Sequence, residues 1–191
     1  MAEPVPSLPD KGPQRPAAFL DRDGVINVDE GYTFRAADLR FTPTAVAGIR
    51  RLNEAGYWVI VVTNQSGVAR GFYSCADVEA FHDHMQAALA EGGAHVDAFY
   101  YCAYHPDGSV SAYAREHEDR KPSPGMLLRA MREWPIDRAR SFMIGDKDSD
   151  VEVAARAGIP GVRVPANSCD LAREVDRLLS RADPAPQEEP A

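Results

Sequence analysis

The sequence predicts an α/β fold three layers deep, a central parallel sheet with helices on both faces. Two observations predict it. Strand-like and helix-like periodicity alternate five times between Ala17 and Arg181, and this alternation builds parallel strands joined by crossover helices. The run Tyr57-Trp-Val-Ile-Val-Val62 is apolar and β-branched throughout instead of alternating with polar residues, as a strand covered on both faces requires.

The elements follow in order. Residues 1–16 are rich in proline, have no apolar core of a secretory signal, and read as a flexible tail. Ala17-Ala-Phe-Leu20 is a short strand ending in charged residues. Thr44 to Ala55 is a helix, with Pro43 before it and Gly56 ending it. After the Tyr57–Val62 strand, Ser74 caps a helix to about Ala90, stopped by Gly92-Gly93. Val96 to Tyr101 is a strand, and 102–122 is polar and irregular. Pro124 to Glu133 is helix, Ser141 to Ile144 strand, Asp148 to Arg156 helix, and Gly161 to Val164 a last strand. An amphipathic helix covers Cys169 to Arg181, and 183–191 is a second solvated tail. The expected organisation is one domain over 17–182 between two tails.

Composition narrows the function classes. The chain has 191 residues, 45% hydrophobic and 26% charged, enough apolar surface for a real core. Its 21 basic and 29 acidic side chains give a net charge of −8, which argues against a nucleic-acid binder that must neutralise a phosphate backbone. No apolar run is long enough to span a membrane. Three scattered cysteines do not make a disulfide framework, and a reducing cytoplasm is the expected compartment.

In open parallel sheets, ligands bind outside the carboxyl ends of the strands. That rule selects Asp21 and Asp23, Thr63 and Asn64, Cys102, and Asp146 as groups that should converge. In Asp21-Arg-Asp-Gly24 the two carboxylates share one side of extended backbone while Arg22 faces another. Their mutual repulsion is relieved by a divalent cation. A hydroxyl at Thr63 and the N–H groups beyond it suit phosphate oxygens. Lys121, in Arg120-Lys-Pro122, lies at a helix entrance where the dipole favours anions. Asp146 ends a strand, Asp150 follows one helical turn later, and Asp148 or Ser149 is the expected cap between them.

Taken together and in this order, these motifs resemble the haloacid dehalogenase (HAD) superfamily of phosphotransferases. The resemblance runs from Ala17 to Val164 and implies a Rossmann-like core without a large cap domain. More narrowly, Phe19-Leu-Asp-Arg-Asp-Gly-Val-Ile-Asn27, Val62-Thr-Asn-Gln-Ser-Gly-Val-Ala-Arg-Gly71, Arg120-Lys-Pro and Ile144-Gly-Asp-Lys are similar to the bacterial heptose bisphosphate phosphatases. Histidinol-phosphate phosphatases share much of the pattern.

The resemblance implies a phosphatase in which Asp21 is the nucleophile and Asp23 the general acid and base. It implies Mg²⁺ held by Asp21, the carbonyl of Asp23, and Asp146. Thr63, Asn64 and Lys121 would bind the transferring phosphoryl group, with Gln65 and Lys147 beside them. Arg70 and Arg120 would bind a second phosphate. Asp150 would orient Lys121 or a metal-bound water from behind. A small phosphorylated metabolite as substrate and a monomeric state complete the expectation. The alternatives are a phosphatase for histidinol phosphate or another sugar phosphate, or a module that kept the fold and lost catalysis.

One departure stands out. The resembled enzymes hold a structural zinc with Cys-x-His and Cys-x-Cys before Arg-Lys-Pro. Here the pairs read Cys102-Ala-Tyr104 and His117-Glu-Asp119. A set made of Cys102, His105, His117 and Asp119 is chemically possible, but a metal-free loop packed through Tyr100, Tyr101, Tyr104 and Tyr113 is the expectation. His82, His84 and His95 read as neutral surface or partly buried residues.

Overall fold

Five short apolar segments pair in parallel to form the sheet of this protein, seen in a computed structural model that describes residues 12–182. The strands are β1 (Ala17–Leu20), β2 (Trp58–Asn64), β3 (Ala98–Cys102), β4 (Phe142–Gly145) and β5 (Gly161–Arg163). Helices α1 (Ala45–Glu54), α2 (Cys75–Glu91), α3 (Gly125–Glu133), α4 (Asp148–Ala157) and α5 (Leu171–Ala182) lie between and after them. The strand order is β3-β2-β1-β4-β5. The chain therefore builds outward from β1 to one edge, then returns to the other side of β1. That reversal opens a crevice at the carboxyl ends of β1 and β4, the place where such sheets bind ligands.

Alternate strand residues feed two cores, one per face. Leu20, Val59, Val61 and Ile144 pack against Ile49 and Leu52 of α1, Phe81, Met85 and Leu89 of α2, and Leu171 and Val175 of α5. Phe19, Ile60, Val62 and Met143 pack against Met126 and Leu127 of α3 and Val153 and Ala154 of α4. Three layers result, as the unbroken apolar strand demands. Fully burying each such side chain contributes about 1.5–3 kcal/mol. A third, smaller cluster of Val68, Tyr73, Val78 and Ala103 sits under the loops that rise from β2 and β3.

Two boundaries differ from the sequence expectation. The N-terminal stretch joins the fold earlier than Ala17: Arg15 exchanges backbone hydrogen bonds with Pro135 and Asp137, and its guanidinium lies 4.0 Å from the Trp58 ring centre. Most of the two expected tails, 1–11 and 183–191, lies outside the described residues. Helix α4 is capped neither by Asp148 nor by Ser149. Lys147 is the N-cap, and Asp150 accepts the Lys147 N–H at 3.0 Å. Ser74 caps α2 as expected, its hydroxyl accepting from Asp77 N while the Asp77 carboxylate accepts from Ser74 N.

Candidate active site

Asp21 leaves the end of β1, its N–H bonded to Ile144 O across the crevice. Asp146 leaves β4 beside it. Lys121 reaches the same point from the loop before α3. Its ammonium lies 3.0 Å from Asp21 Oδ1 and 2.6 Å from Asp150 Oδ1, and donates to Val62 O at 2.9 Å. All four groups are buried. Asn64 fixes the lysine through its backbone, donating to Lys121 O and accepting from Lys121 N.

This density of charge has consequences. Burial pushes the Asp21 carboxyl up to about 7, opposed by Lys121 and reinforced by Asp150 and Asp23. Burial also raises Asp146. For Lys121 burial works against the charge, but the Asp21 and Asp150 carboxylates outweigh it and hold the ammonium above its ordinary value. Lys147, half exposed with its Nζ 3.9 Å from Asp146 Oδ1, is raised against burial by Asp21 and Asp146.

Ligand atoms of Asp21, Asp146 and Asp150 lie within 4.8 Å of one another, the one such metal-ligating cluster among the described residues. Asp150 is already engaged on both oxygens, by the Lys121 ammonium and the Lys147 N–H. Asp146 Oδ1 is buried without a hydrogen bond, and the Lys147 ammonium lies 3.9 Å from it, beyond hydrogen-bond reach. Such an orphaned carboxylate oxygen is costly unless something electropositive meets it. Gly24 keeps this space open: with φ +85, it would place a Cβ 2.7 Å from Asp146 Oδ2. Gly145 does the same for Asp150, whose Cβ would lie 2.2 Å from an added methyl.

Asp23 is held separately. Its Oδ1 accepts from Arg22 Nε at 3.0 Å, Arg22 Nη2 at 2.9 Å and Asn27 Nδ2 at 3.0 Å. Its Oδ2 accepts from Arg22 Nη2 at 3.0 Å and Gln65 Nε2 at 2.8 Å. Gln65 is itself buried and fully used, donating also to Thr63 Oγ1 and accepting from the Tyr73 hydroxyl. Its side chain therefore props Asp23 and Thr63 and has no polar atom left to offer a ligand. The half-buried Asn64 amide bonds the Lys121 backbone through its oxygen and one N–H, which leaves its second N–H available. Thr63 is buried beneath them, its hydroxyl proton uncommitted to any described acceptor.

The sequence sets Arg22 on another side from Asp21 and Asp23, and His82 reads from it as a neutral surface or partly buried residue. Both are buried. The pleat ends at Leu20, so Arg22 folds under the loop, over Phe81 of α2, and turns back onto Asp23. The signal for His82 was present in α2: Val78, Phe81, His82, Met85 and Leu89 fall on one helical face.

The insertion between β3 and α3 is built from rings. Tyr104 stacks on His117 at 4.1 Å and 3°, meets Tyr113 at 5.5 Å, and carries the Arg115 guanidinium 4.4 Å from its ring centre. Residues considered for zinc are engaged elsewhere. The Cys102 thiol, which burial raises above its ordinary value, faces Tyr104 O, and Asp119 pairs with Arg129 at 3.0 Å. His105 Nδ1 accepts from Asp107 N, and His117 Nδ1 from Asp119 N. Burial, and then the Arg120 and Arg70 charges, lower the basicity of His105. Arg70 Nη2 lies 3.4 Å from His105 Nε2, and Arg70 Nε is buried without a partner.

A family model for HAD-hydrolase-like proteins matches residues 119–185. A D-glycero-β-D-manno-heptose-1,7-bisphosphate 7-phosphatase of Rhodopseudomonas palustris is 50% identical over 159 residues, 83% of this chain and 88% of that one. This chain belongs to the HAD phosphatase family. A D-glycero-α-D-manno-heptose-1,7-bisphosphate 7-phosphatase of Photorhabdus laumondii is 39% identical over 75% of this chain and 78% of its own. Among solved structures, a HAD-like phosphatase from Mesorhizobium loti aligns with TM-score 0.80 and 34% identity, covering 92% of this chain and 90% of that one. A D,D-heptose 1,7-bisphosphate phosphatase from B. bronchiseptica, complexed with magnesium and phosphate, aligns with TM-score 0.74 and 32% identity over 87% of this chain and 99% of that one. The protein is thus a phosphatase, and Asp21, Asp23, Thr63, Lys121 and Asp146 stand together at its sheet's carboxyl edge. Among the described residues no helix is long and apolar enough to cross a membrane.

Proposed function

We propose that this phosphatase hydrolyses one phosphate ester of a heptose 1,7-bisphosphate through an aspartyl-phosphate on Asp21, with Mg²⁺ as cofactor. The observation that carries the chemistry is the division of labour between the two carboxylates. Asp21 faces a cation and further carboxylates, whereas Asp23 is gripped by donors that fix its orientation.

The donor set fits a hard divalent ion. Asp146 Oδ1 lacks a hydrogen bond, and Asp21 and Asp146 offer carboxylate oxygens close together. Asp21, Asp146 and the main-chain carbonyl of Asp23 would hold Mg²⁺, and its charge would offset that of the phosphoryl oxygens. The remaining chemistry belongs to side chains. Asp21 attacks phosphorus as the phosphorus–oxygen bond to the sugar breaks, and Asp23 gives its proton to the leaving oxygen. A water then attacks phosphorus, Asp23 takes the water's proton, and Asp21 is released. Lys121, kept charged by its carboxylate neighbours, and the Thr63 hydroxyl bind phosphoryl oxygens.

The substrate reading rests on the relatives and on two arginines. Arg70 reaches His105 and Arg120 donates to the adjacent Tyr104 O, and the partnerless Arg70 Nε suits a remote phosphate, which guanidinium groups bind bidentately. Steady-state hydrolysis of heptose 1,7-bisphosphate beside histidinol phosphate and simple sugar monophosphates, with Mg²⁺, tests it. The bisphosphate should be preferred, and Arg70→Ala should raise KM for it while leaving the monophosphates unchanged. Equal, weak activity on every ester would contradict the heptose assignment.

A further inference from the structure

Arg22 is an unusual residue to find with no exposed surface, between two carboxylates at the mouth of a site. A guanidinium cannot shed its proton in a protein, so each buried N–H needs an acceptor. Nε and Nη2 go to Asp23, and Nη2 also donates to Thr33 O at 2.8 Å. Nη1 lies 3.2 Å from His82 Nε2, and the flat face covers Phe81. Beside a permanent donor, His82 Nε2 must present its lone pair, which makes His82 neutral with its proton on Nδ1. Burial first, and then the Arg22 charge, push its pKa down to about 3. The ring is clamped by stacking on Phe99 at 4.4 Å and 14°, with Tyr101 at its edge. Helix α2, started by the Ser74–Asp77 capping box, thus delivers a fixed acceptor two contacts away from Asp23.

We propose that Arg22 and His82 are a positioning pair that holds the Asp23 carboxylate in the orientation its proton transfers require. The inference rests on the acid and base role of Asp23 given above. Without the acceptor at position 82, an Arg22 N–H is left buried and unsatisfied, and the guanidinium turns to recover a partner. Asp23 then loses the arm that reaches both of its oxygens. Steps needing a proton from or to Asp23 slow, while attack by Asp21 does not.

Esters differing in leaving group separate this from a general loss of structure. An alkyl phosphate needs a proton on its departing oxygen, whereas 4-nitrophenolate leaves without one. In His82→Leu, with Mg²⁺, kcat for the alkyl ester should fall about a hundredfold, the scale of general acid–base catalysis, with KM little changed. On 4-nitrophenyl phosphate the first turnover should stay fast and be followed by slow turnover, a burst that reports accumulated phosphoenzyme. His82→Gln, whose amide oxygen can replace Nε2, should behave like the parent. Equal losses on both esters without a burst, or a wild-type profile in His82→Leu, overturn the inference. Should His82→Leu not fold, His82→Asn, one carbon shorter than glutamine, carries the same comparison. Asp21→Asn keeps the two levels apart. Turnover surviving in it removes the underlying reading, whereas its loss together with equal losses in His82→Leu removes the positioning pair alone.

Discussion

The floor of the site and the insertion above it are ordered by different physics. The floor holds Asp21, Lys121, Asp146 and Asp150 as buried groups around the ends of β1 and β4, with Asp21, Lys121 and Asp150 fixed by ion pairs and backbone hydrogen bonds. The insertion, residues 103–120, is held by a stack of Tyr104 and His117 flanked by Tyr113 and Arg115, with the Asp119–Arg129 ion pair at its root. Charges in the floor are costly individually and tolerable only as a set, so any single removal should be severe. Rings in the insertion share their contribution among several contacts, so single changes there should be mild.

The largest effect should come from Asp21→Asn, which removes the nucleophile and keeps the shape. Turnover should fall by on the order of 10⁵-fold with the fold intact by circular dichroism. Next comes Lys121→Met. It leaves the Asp21 and Asp150 carboxylates facing each other without a cation, and should lower folding stability by about 3–5 kcal/mol in denaturant titration.

A pH series on metal-free protein sharpens the same contrast. The Asp21 carboxyl is raised from 3.8 to about 7 in the fold, so between those values the folded state holds a proton that the unfolded state has lost. Stability should therefore fall as pH rises through that window, by calorimetry, and Asp21→Asn should flatten the fall. Added Mg²⁺ should raise Tm more at about pH 8 than at about pH 5, because only the ionised carboxylates bind it. The smallest effect belongs to the insertion. Tyr104→Leu should cost about 1 kcal/mol of stability and raise KM more than it lowers kcat.

Legibility in the sequence followed the same division. The β2 run announced its burial on both faces because period alone decides it. Strand-end placement put Asp21, Asp23, Thr63, Asn64 and Asp146 in one group, with Lys121 added from its place at a helix entrance. Cys102, selected by the same rule, instead packs into the second core and faces Tyr104 O. Side-chain direction in irregular backbone was not legible. Arg22 was set facing away from the carboxylates because extended geometry was carried past Leu20, where the chain already turns. Gln65 and Asn64 were assigned to phosphate by their place after β2. Their amides also close local pairs with Asp23, Thr63 and the Lys121 backbone, partners that spacing does not encode. Helix α4 begins on Lys147 because Asp150, three residues on, is pinned by Lys121 from another segment. The stacking of Tyr104 on His117 was invisible for a similar reason: it joins residues thirteen apart in an irregular loop.

The claim on which the rest depends is that Asp21 carries the phosphoryl group. With 4-nitrophenyl phosphate as substrate, whose leaving group needs no proton, Asp23→Asn should form the phosphoenzyme and release it slowly, so it is the protein in which to trap it. Acid quenching in the presence of Mg²⁺ and substrate, borohydride reduction and peptide mass spectrometry should convert Asp21 to homoserine in a large fraction of molecules, with no other residue modified. Reduction at a different residue, or sustained turnover by Asp23→Asn with Asp21 never modified, would contradict the account.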